Sequence, residues 1–189
     1  QIKGIEELKS FLEEDIPVAL TLSGKGVLSK KIEDGLENDG NKLLAQAIPN
    51  AKPNDFYLQV LHEGKSKYLS IVRKPIADEI LILFEKTHLS VVSLSLGGLV
   101  LQNLKIFEGE NFEIRAREHL IEVKEGQVVQ YVFESSQELI NLKQKLGTEE
   151  ISSQFLVAYT SAFQQYLSDP VCAKHETVTN IKEEFLEKQ

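Results

Sequence analysis

The 189-residue sequence contains one cysteine, Cys172, and neither methionine nor tryptophan. A single cysteine excludes an internal disulfide, so a cytoplasmic compartment is the default expectation. Membrane-spanning helices need about 20 apolar residues, and the longest apolar runs here, at 80–84 and 90–101, are short or interrupted by glycine. No signal peptide is visible. Because the chain starts at Gln1 and lacks methionine, we expect it to be a piece of a longer protein.

Positive charge is also scarce, because 29 acidic residues stand against 21 basic ones and give a net charge of −8. A general nucleic-acid binder needs a clustered positive surface to meet phosphates. The composition therefore argues against a nucleic-acid partner and gives no support for docking on anionic lipid. Hydrophobic residues make up 42% of the chain, enough for a core, and the length allows one domain or two small ones.

The first half of the sequence predicts the element order α-β-β-α-β-β-α-β. Apolar periodicity, β-branched runs and turn residues place these elements in turn: a helix over 4–14, strands 16–22 and 27–32 paired as a hairpin, a helix over 42–48, a hairpin of 55–64 with 67–74, a helix over 75–88 and a strand over 89–96. Gly97-Gly98 then ends the last strand. We place a boundary there, which predicts a first subdomain of residues 1–98 and a second of residues 99–189.

The second half predicts a three-stranded meander followed by helices. Residues 99–107 fit either a short helix or a strand, and a helix is favoured. Three strands follow at 112–116, 119–126 and 127–134, with a tight turn at Glu125-Gly126. The remaining predicted elements are all helices: 137–147 ending at Gly147, 148–169 capped by Thr148 and stopped by Pro170, and a charged tail at 178–189.

Ser23-Gly24-Lys25-Gly26 raises the question of a phosphate cradle. A P-loop has the pattern G-x-x-x-x-G-K-[S/T] and leads from a strand into a helix, whose N-terminus holds the phosphates. Here the upstream glycine is missing, Gly26 replaces Ser or Thr, and a strand follows. Glycines at 24 and 26 instead suit the positive φ angles of a tight turn, so we interpret the stretch as a strand-to-strand turn.

Other residue groups with possible chemistry are interpreted as structural. Cys172-x-x-His175 has a spacing seen in metal sites, but structural zinc needs four ligands and no second close pair is present. Arg115 and Arg117 alternate along a predicted strand and fit one exposed face better than an anion site. Glutamates also cluster, and acid–base work would need them buried; they are Glu108, Glu110, Glu113, Glu149, Glu150, Glu183 and Glu184. We therefore predict no catalytic, cofactor-binding or metal-binding residues and no cofactor.

The order of elements resembles a known family. The stretches "IPVALTLSGKGVLSKKI" (16–32), "NDFYLQVL" (54–61), "YLSIVRKPIADEILILFEKTHLSVVSLSLGGLVL" (68–101) and "ISSQFLVAYTSAF" (151–163) together resemble PilM of type IV pilus assembly and the cytoplasmic domain of GspL of type II secretion. The resemblance covers most of the chain. It implies an α/β fold of the actin-like, or ribonuclease-H-like, class, with two subdomains built from mixed sheets and flanking helices.

The same resemblance shapes the expected function. The family holds nucleotide phosphates with two Asp-x-Gly loops, of which the first is expected before Gln1 and the second at 112–123. There Arg115-Ala116-Arg117-Glu118-His119 replaces the Asp-Gly pair, and without glycine the backbone cannot approach a phosphate closely. We expect a non-catalytic scaffold domain at the inner face of the cell membrane. Its expected partners are other proteins of an assembly platform or further copies of itself, with no membrane insertion by this segment.

Two alternatives to the scaffold stay open at this stage. One is an actin-like or sugar-kinase-like ATPase fragment whose phosphate loop lies upstream of residue 1. The other is an unrelated α/β protein whose order of elements matches by chance.

Overall fold

The computed structural model describes residues 4–12, 16–32, 39–63, 66–134 and 142–187. Within those residues the strands are β1 Val18–Leu22, β2 Val27–Ile32, β3 Phe56–Glu63, β4 Ser66–Arg73, β5 Val91–Leu96, β6 Phe112–Ala116, β7 His119–Lys124, β8 Gln127–Phe133, β9 Lys143–Leu146 and β10 Glu149–Ser152. The α-helices are α1 Ile5–Lys9, α2 Gly40–Ala47, α3 Lys74–Lys86, α4 Lys105–Glu108, α5 Leu156–Phe163 and α6 Glu176–Glu187. Up to Leu96 the elements appear in the predicted order.

The predicted pairing of the first two strands is wrong. β1 runs parallel to β5, with Leu22 opposite Leu96, while β2 pairs antiparallel with β4. Every residue of β5 is buried, so this strand needs a hydrogen-bonding neighbour on both edges. β1 supplies one neighbour, and residue Ala173 supplies the other by donating its N–H to the carbonyl of Leu94 at 2.8 Å.

The second predicted hairpin is confirmed. β3 and β4 pair antiparallel along their whole length, in a sheet of order β2-β4-β3, although the turn at 64–65 lies outside the described residues. One face of this sheet packs on α2, where Leu43 and Leu44 contact Leu69 and Ile71. The Asp39 side chain caps α2 by accepting a hydrogen bond from the Asn41 N–H.

The other face of the β2-β4-β3 sheet packs toward β5 and the second half of the chain. Pro75 lies in the first turn of α3 as predicted, and Ala77 and Phe84 of that helix join a core cluster with Leu94. A second cluster contains Leu61 and Tyr68 of β3 and β4 together with residues of the later strands. Side chains from both predicted subdomains therefore meet in one core.

The meander of the second half is confirmed. β6, β7 and β8 form an antiparallel sheet in sequential order, and the β7–β8 turn places Glu125 and Gly126 at φ values of 51° and 72°. The stretch after Gly98 is helical, as favoured, and forms a 3-10 helix over Leu99–Leu104 that continues into α4. Leu99, Leu101 and Leu104 of the 3-10 helix pack in one core cluster with apolar residues of β6, β7 and β8.

The two helices predicted over 137–169 are largely wrong. Residues 137–141 lie outside the described part of the chain. β9 and β10 form a hairpin in which Leu146 faces Glu149, and Gly147 (φ 62°) belongs to its turn and does not end a helix. Helical structure begins only at the 3-10 turn Ser153–Phe155 and continues through α5. The predicted tail helix is confirmed as α6.

Candidate functional site

Three connections meet at the carboxyl ends of the parallel strands β1 and β5. The first is the turn Ser23–Gly26 after β1, where Gly24 and Gly26 have φ values of 88° and 101°. These positive angles confirm the predicted role of both glycines in a turn, although the strands they join do not pair with each other. The N–H of Gly97 donates to the carbonyl of Leu22 at 2.8 Å and ties the ends of β1 and β5 together.

The second connection is Gly97-Gly98. The Gly98 N–H donates to the phenolic oxygen of Tyr131 at 2.8 Å. A Cβ atom on Gly98 would lie 2.6 Å from Cγ of His119, a distance that real Cβ atoms do not show. Only glycine therefore allows the His119 ring to lie against the backbone here.

The third connection is the β6–β7 turn, which leads into His119 at the start of β7. The His119 ring contacts both the Ser23–Gly26 turn and the Gly97-Gly98 connection. Its Nε2 atom lies 2.7 Å from Oγ of Ser23, and its Nδ1 atom lies 2.9 Å from the Tyr131 hydroxyl. The side chain is 3% exposed. Burial, reinforced by the positive charge of Arg117, lowers the pKa of His119 to about 4. The imidazole is therefore neutral at physiological pH.

Tyr131 completes what we name the His119 junction: Ser23, Ser29, Gly98, His119 and Tyr131. Ser29 hydrogen-bonds the Tyr131 oxygen, and burial raises the pKa of the phenol despite that bond and the one from Gly98. The neutral imidazole carries its one ring proton on either Nδ1 or Nε2, and the tautomer decides which partner donates at the Tyr131 and Ser23 contacts.

This arrangement decides what the junction can do chemically. A serine nucleophile needs a histidine that accepts its proton, and the lowered pKa of His119 makes this imidazole a weak base for that role. The Ser23–His119 bond instead joins the β1–β2 turn directly to the start of β7. The junction therefore links the β1–β2 turn to the β6–β7 connection through a chain of hydrogen bonds.

Cys172 and His175 contact different polar partners. Cys172 lies 3.2 Å from Oγ of Ser93. His175 contacts the carboxylate of Asp78 at 3.3 Å, and Tyr57 donates to the same carboxylate at 2.8 Å, with its own pKa raised to about 12, mainly by burial. Among the described residues, no group of three or more His, Cys, Asp or Glu side chains is arranged to hold a metal ion.

The two arginines do not share a strand face, contrary to the interpretation from sequence. Arg115 lies on β6 and forms an exposed ion pair with Glu134 at 2.8 Å. Arg117 lies in the β6–β7 turn with a φ of 56°, a conformation that ends the strand before it.

The glutamate clusters predicted as solvated surfaces are exposed apart from Glu108, which is half-buried and accepts a hydrogen bond from Gln144 at 3.0 Å. No sequence pattern pointed to the buried carboxyl of Glu63. Burial raises its pKa, although the Val128 N–H and the charge of Lys105 oppose the shift.

Comparison with known proteins adds one similar structure. No protein-family model matches the chain, and no curated protein matches it. Among solved structures, the chain is similar to the cytoplasmic domain of EpsL, an inner membrane component of the type II secretion system of Vibrio cholerae, with a TM-score of 0.45 and 17% identity. The match covers 68% of this chain and 53% of the EpsL chain, so the chain spans about half the length of that structure.

A helix that crosses a bilayer needs about 20 predominantly apolar residues. Within the described residues, no helix is both long enough and apolar enough to cross a membrane.

Proposed function

We propose that this chain is a non-catalytic scaffold domain of a pilus-assembly or secretion platform at the inner face of the cell membrane. In this proposal the domain binds other proteins of that platform. The proposal starts from the resemblance of the sequence to PilM and GspL, in which actin-like domains belong to such machines. The competing proposal is an actin-like or sugar-kinase-like ATPase fragment whose phosphate loop lies upstream of residue 1.

The observation that carries the non-catalytic part is the position of the His119 side chain in the β6–β7 connection. The resemblance implies the second of the family's two phosphate loops at this connection and the first before Gln1. A nucleotide in an actin-like site lies between two glycine-containing loops whose backbones approach the phosphates. Here the β6–β7 connection has no Asp-Gly pair, and its His119 side chain reaches across to Ser23 at 2.7 Å. The side chain fills the space against Gly98, where a phosphate would need open backbone N–H groups.

The test is titration of the full-length protein with ATP and Mg²⁺ by calorimetry, with ADP as a second arm, because the alternative places its phosphate loop upstream of residue 1. We expect no saturable heat with either nucleotide. Thermal unfolding in excess MgATP gives an independent reading, because a ligand at about 100 times its Kd stabilises the native state by about 2.7 kcal/mol. We expect an unchanged Tm. Saturable ATP binding together with a raised Tm would replace the scaffold proposal with the ATPase fragment.

A further inference from the structure

A groove runs between α3 and α6 at the amino end of β5, whereas the His119 junction lies at the carboxyl end of that strand. Its volume is about 410 Å³, and its apolar lining comes from both helices and from the start of β5. Leu81 and Ile82 line it from α3, and Val178 and Ile181 line it from α6. Ile82 is 46% exposed.

The α3 side of the groove has a defined charge pattern. Asp78, Leu81, Ile82 and Glu85 all line it, and their spacing of i, i+3, i+4 and i+7 places them on one helix face. A carboxylate therefore stands at each end of a short apolar stripe. Asp78 accepts hydrogen bonds from a neighbouring tyrosine and contacts His175, yet its side chain is still 42% exposed.

The α6 side adds apolar residues and one nearby carboxylate. Thr177, Val178 and Ile181 line the groove, and the exposed Glu184 follows Ile181 by three residues, which places it on the same side of the helix. The one lysine among the described residues of α6, Lys182, donates to Gln165 at 3.3 Å. His88 and His175 are the other titratable side chains on the lining.

We propose that this groove binds an amphipathic helix of a partner protein, with basic residues flanking an apolar stripe. An apolar groove between two helices is the usual seat for such a helix, and the carboxylates at its ends select lysine or arginine on the partner. The net charge of −8 adds long-range attraction for a basic segment. The inference rests on the proposed function only in taking the partner to be a protein.

The probe is a synthetic helical peptide of about five turns with leucines at i, i+3, i+4 and i+7 and lysines on either side of them. Its partner peptide has glutamate in place of every lysine. Fluorescence anisotropy measures binding to the whole chain. We expect saturable binding of the lysine peptide, weakened by salt, and at least about tenfold weaker binding of the glutamate peptide.

Two α3 residues give a matched pair of variants. Ile82 and Leu83 are both 46% exposed, but only Ile82 lines the groove. Ile82→Asp should weaken the lysine peptide at least about tenfold, while Leu83→Asp should leave its affinity unchanged. Glu85→Gln should lower the affinity and its salt dependence, whereas Glu79→Gln, an exposed carboxylate outside the groove, should not.

Equal binding of the two peptides, no binding of either, or equal effects of Ile82→Asp and Leu83→Asp would each overturn the proposal. These outcomes are separate from the nucleotide titration. A chain that binds neither ATP nor the lysine peptide keeps the scaffold proposal and loses this groove, whereas a chain that binds both loses the scaffold and keeps the groove.

Discussion

The side-chain amide of Gln59 on β3 satisfies both backbone groups of Leu96 at the end of β5. Its Oε1 atom accepts the Leu96 N–H at 2.6 Å, and its Nε2 atom donates to the Leu96 carbonyl at 3.3 Å. A buried side chain thus takes the place of a neighbouring strand and joins the β2-β4-β3 sheet to the β1-β5 pair. The contact also positions the end of β5, from which Gly97 and Gly98 lead into the His119 junction.

Replacing Gln59 by leucine should destabilise the protein strongly. Gln59 is 1% exposed, so the substitution leaves two buried backbone groups without partners. We expect a loss of about 3 kcal/mol in the free energy of unfolding, measured from urea denaturation midpoints. The matched control is Gln130→Leu on β8, where the glutamine is exposed and the change should be small. Equal effects of the two substitutions would show that the Leu96 contact contributes little.

Gln164 holds a second buried polar contact. It is fully buried, donates to Oγ of Ser95 at 2.8 Å and accepts the N–H of Val171 at 2.9 Å. These bonds fix the segment 171–173 along the free edge of β5. We expect Gln164→Leu to cost about 2–3 kcal/mol and to release this segment.

The single cysteine reports on that release. Cys172 lies in the segment, so its rate of labelling by a chromogenic disulfide reagent should rise several-fold in Gln164→Leu under native conditions. Tyr166→Ala is the control, because Tyr166 follows two residues later and is 88% exposed. An unchanged labelling rate in the Gln164 variant would mean that other contacts hold the segment in place.

The sequence predicted the order of the secondary-structure elements up to Leu96 better than it predicted which strands pair with each other. Local signals placed β6, β7, β8 and the Glu125-Gly126 turn correctly, because each strand pairs with its neighbour in the chain. The β1–β5 pairing joins residues about 70 positions apart, and nothing in the run Val18–Leu22 indicates its partner. The helix predicted from 148 failed because Gly147 fits the αL position of a hairpin turn as well as the end of a helix.

The candidate site could not be predicted for a related reason. Ser23, His119 and Tyr131 come from three separate stretches of the sequence. Sequence patterns place Ser23 in a turn and His119 in a stretch that lacks an Asp-Gly pair, but neither local pattern indicates that the two side chains meet. The Gly97-Gly98 pair is explained from the sequence as the end of a strand. The close approach of His119 to Gly98 depends on tertiary packing that periodicity does not encode.

That close approach predicts the effect of a single methyl group. Gly98→Ala would place Cβ 2.6 Å from Cγ of His119, so the ring must move and its bonds to Ser23 and Tyr131 must lengthen. We expect a loss of about 2–3 kcal/mol. Gly40→Ala is the control, because its Cβ would lie 3.4 Å from a leucine methyl, an ordinary contact, within helix α2.

A double-mutant cycle separates the clash from other effects of alanine. In a His119→Gly background the methyl group at position 98 meets neither the ring nor the Cβ atom of residue 119, which would lie 2.9 Å away, and its cost should fall to less than half. If Gly98→Ala costs as much without His119 as with it, backbone conformation and not the imidazole requires glycine at this position.

The buried imidazole also predicts how stability depends on pH. Because burial lowers the pKa of His119 to about 4 from its ordinary 6.5, the unfolded chain takes up a proton between these values and the native state does not. The neutral imidazole's contribution to the free energy of unfolding is complete above pH 6.5. It is lost as the pH falls, by on the order of 3 kcal/mol at pH 4.

The free energy of unfolding of His119→Gln, from urea titrations across pH 4–7, should therefore depend less steeply on pH than that of the parent. His62→Gln, which removes an exposed histidine, should keep the parent's slope, and an unchanged slope in His119→Gln would mean that the native state takes up the proton at His119 without penalty.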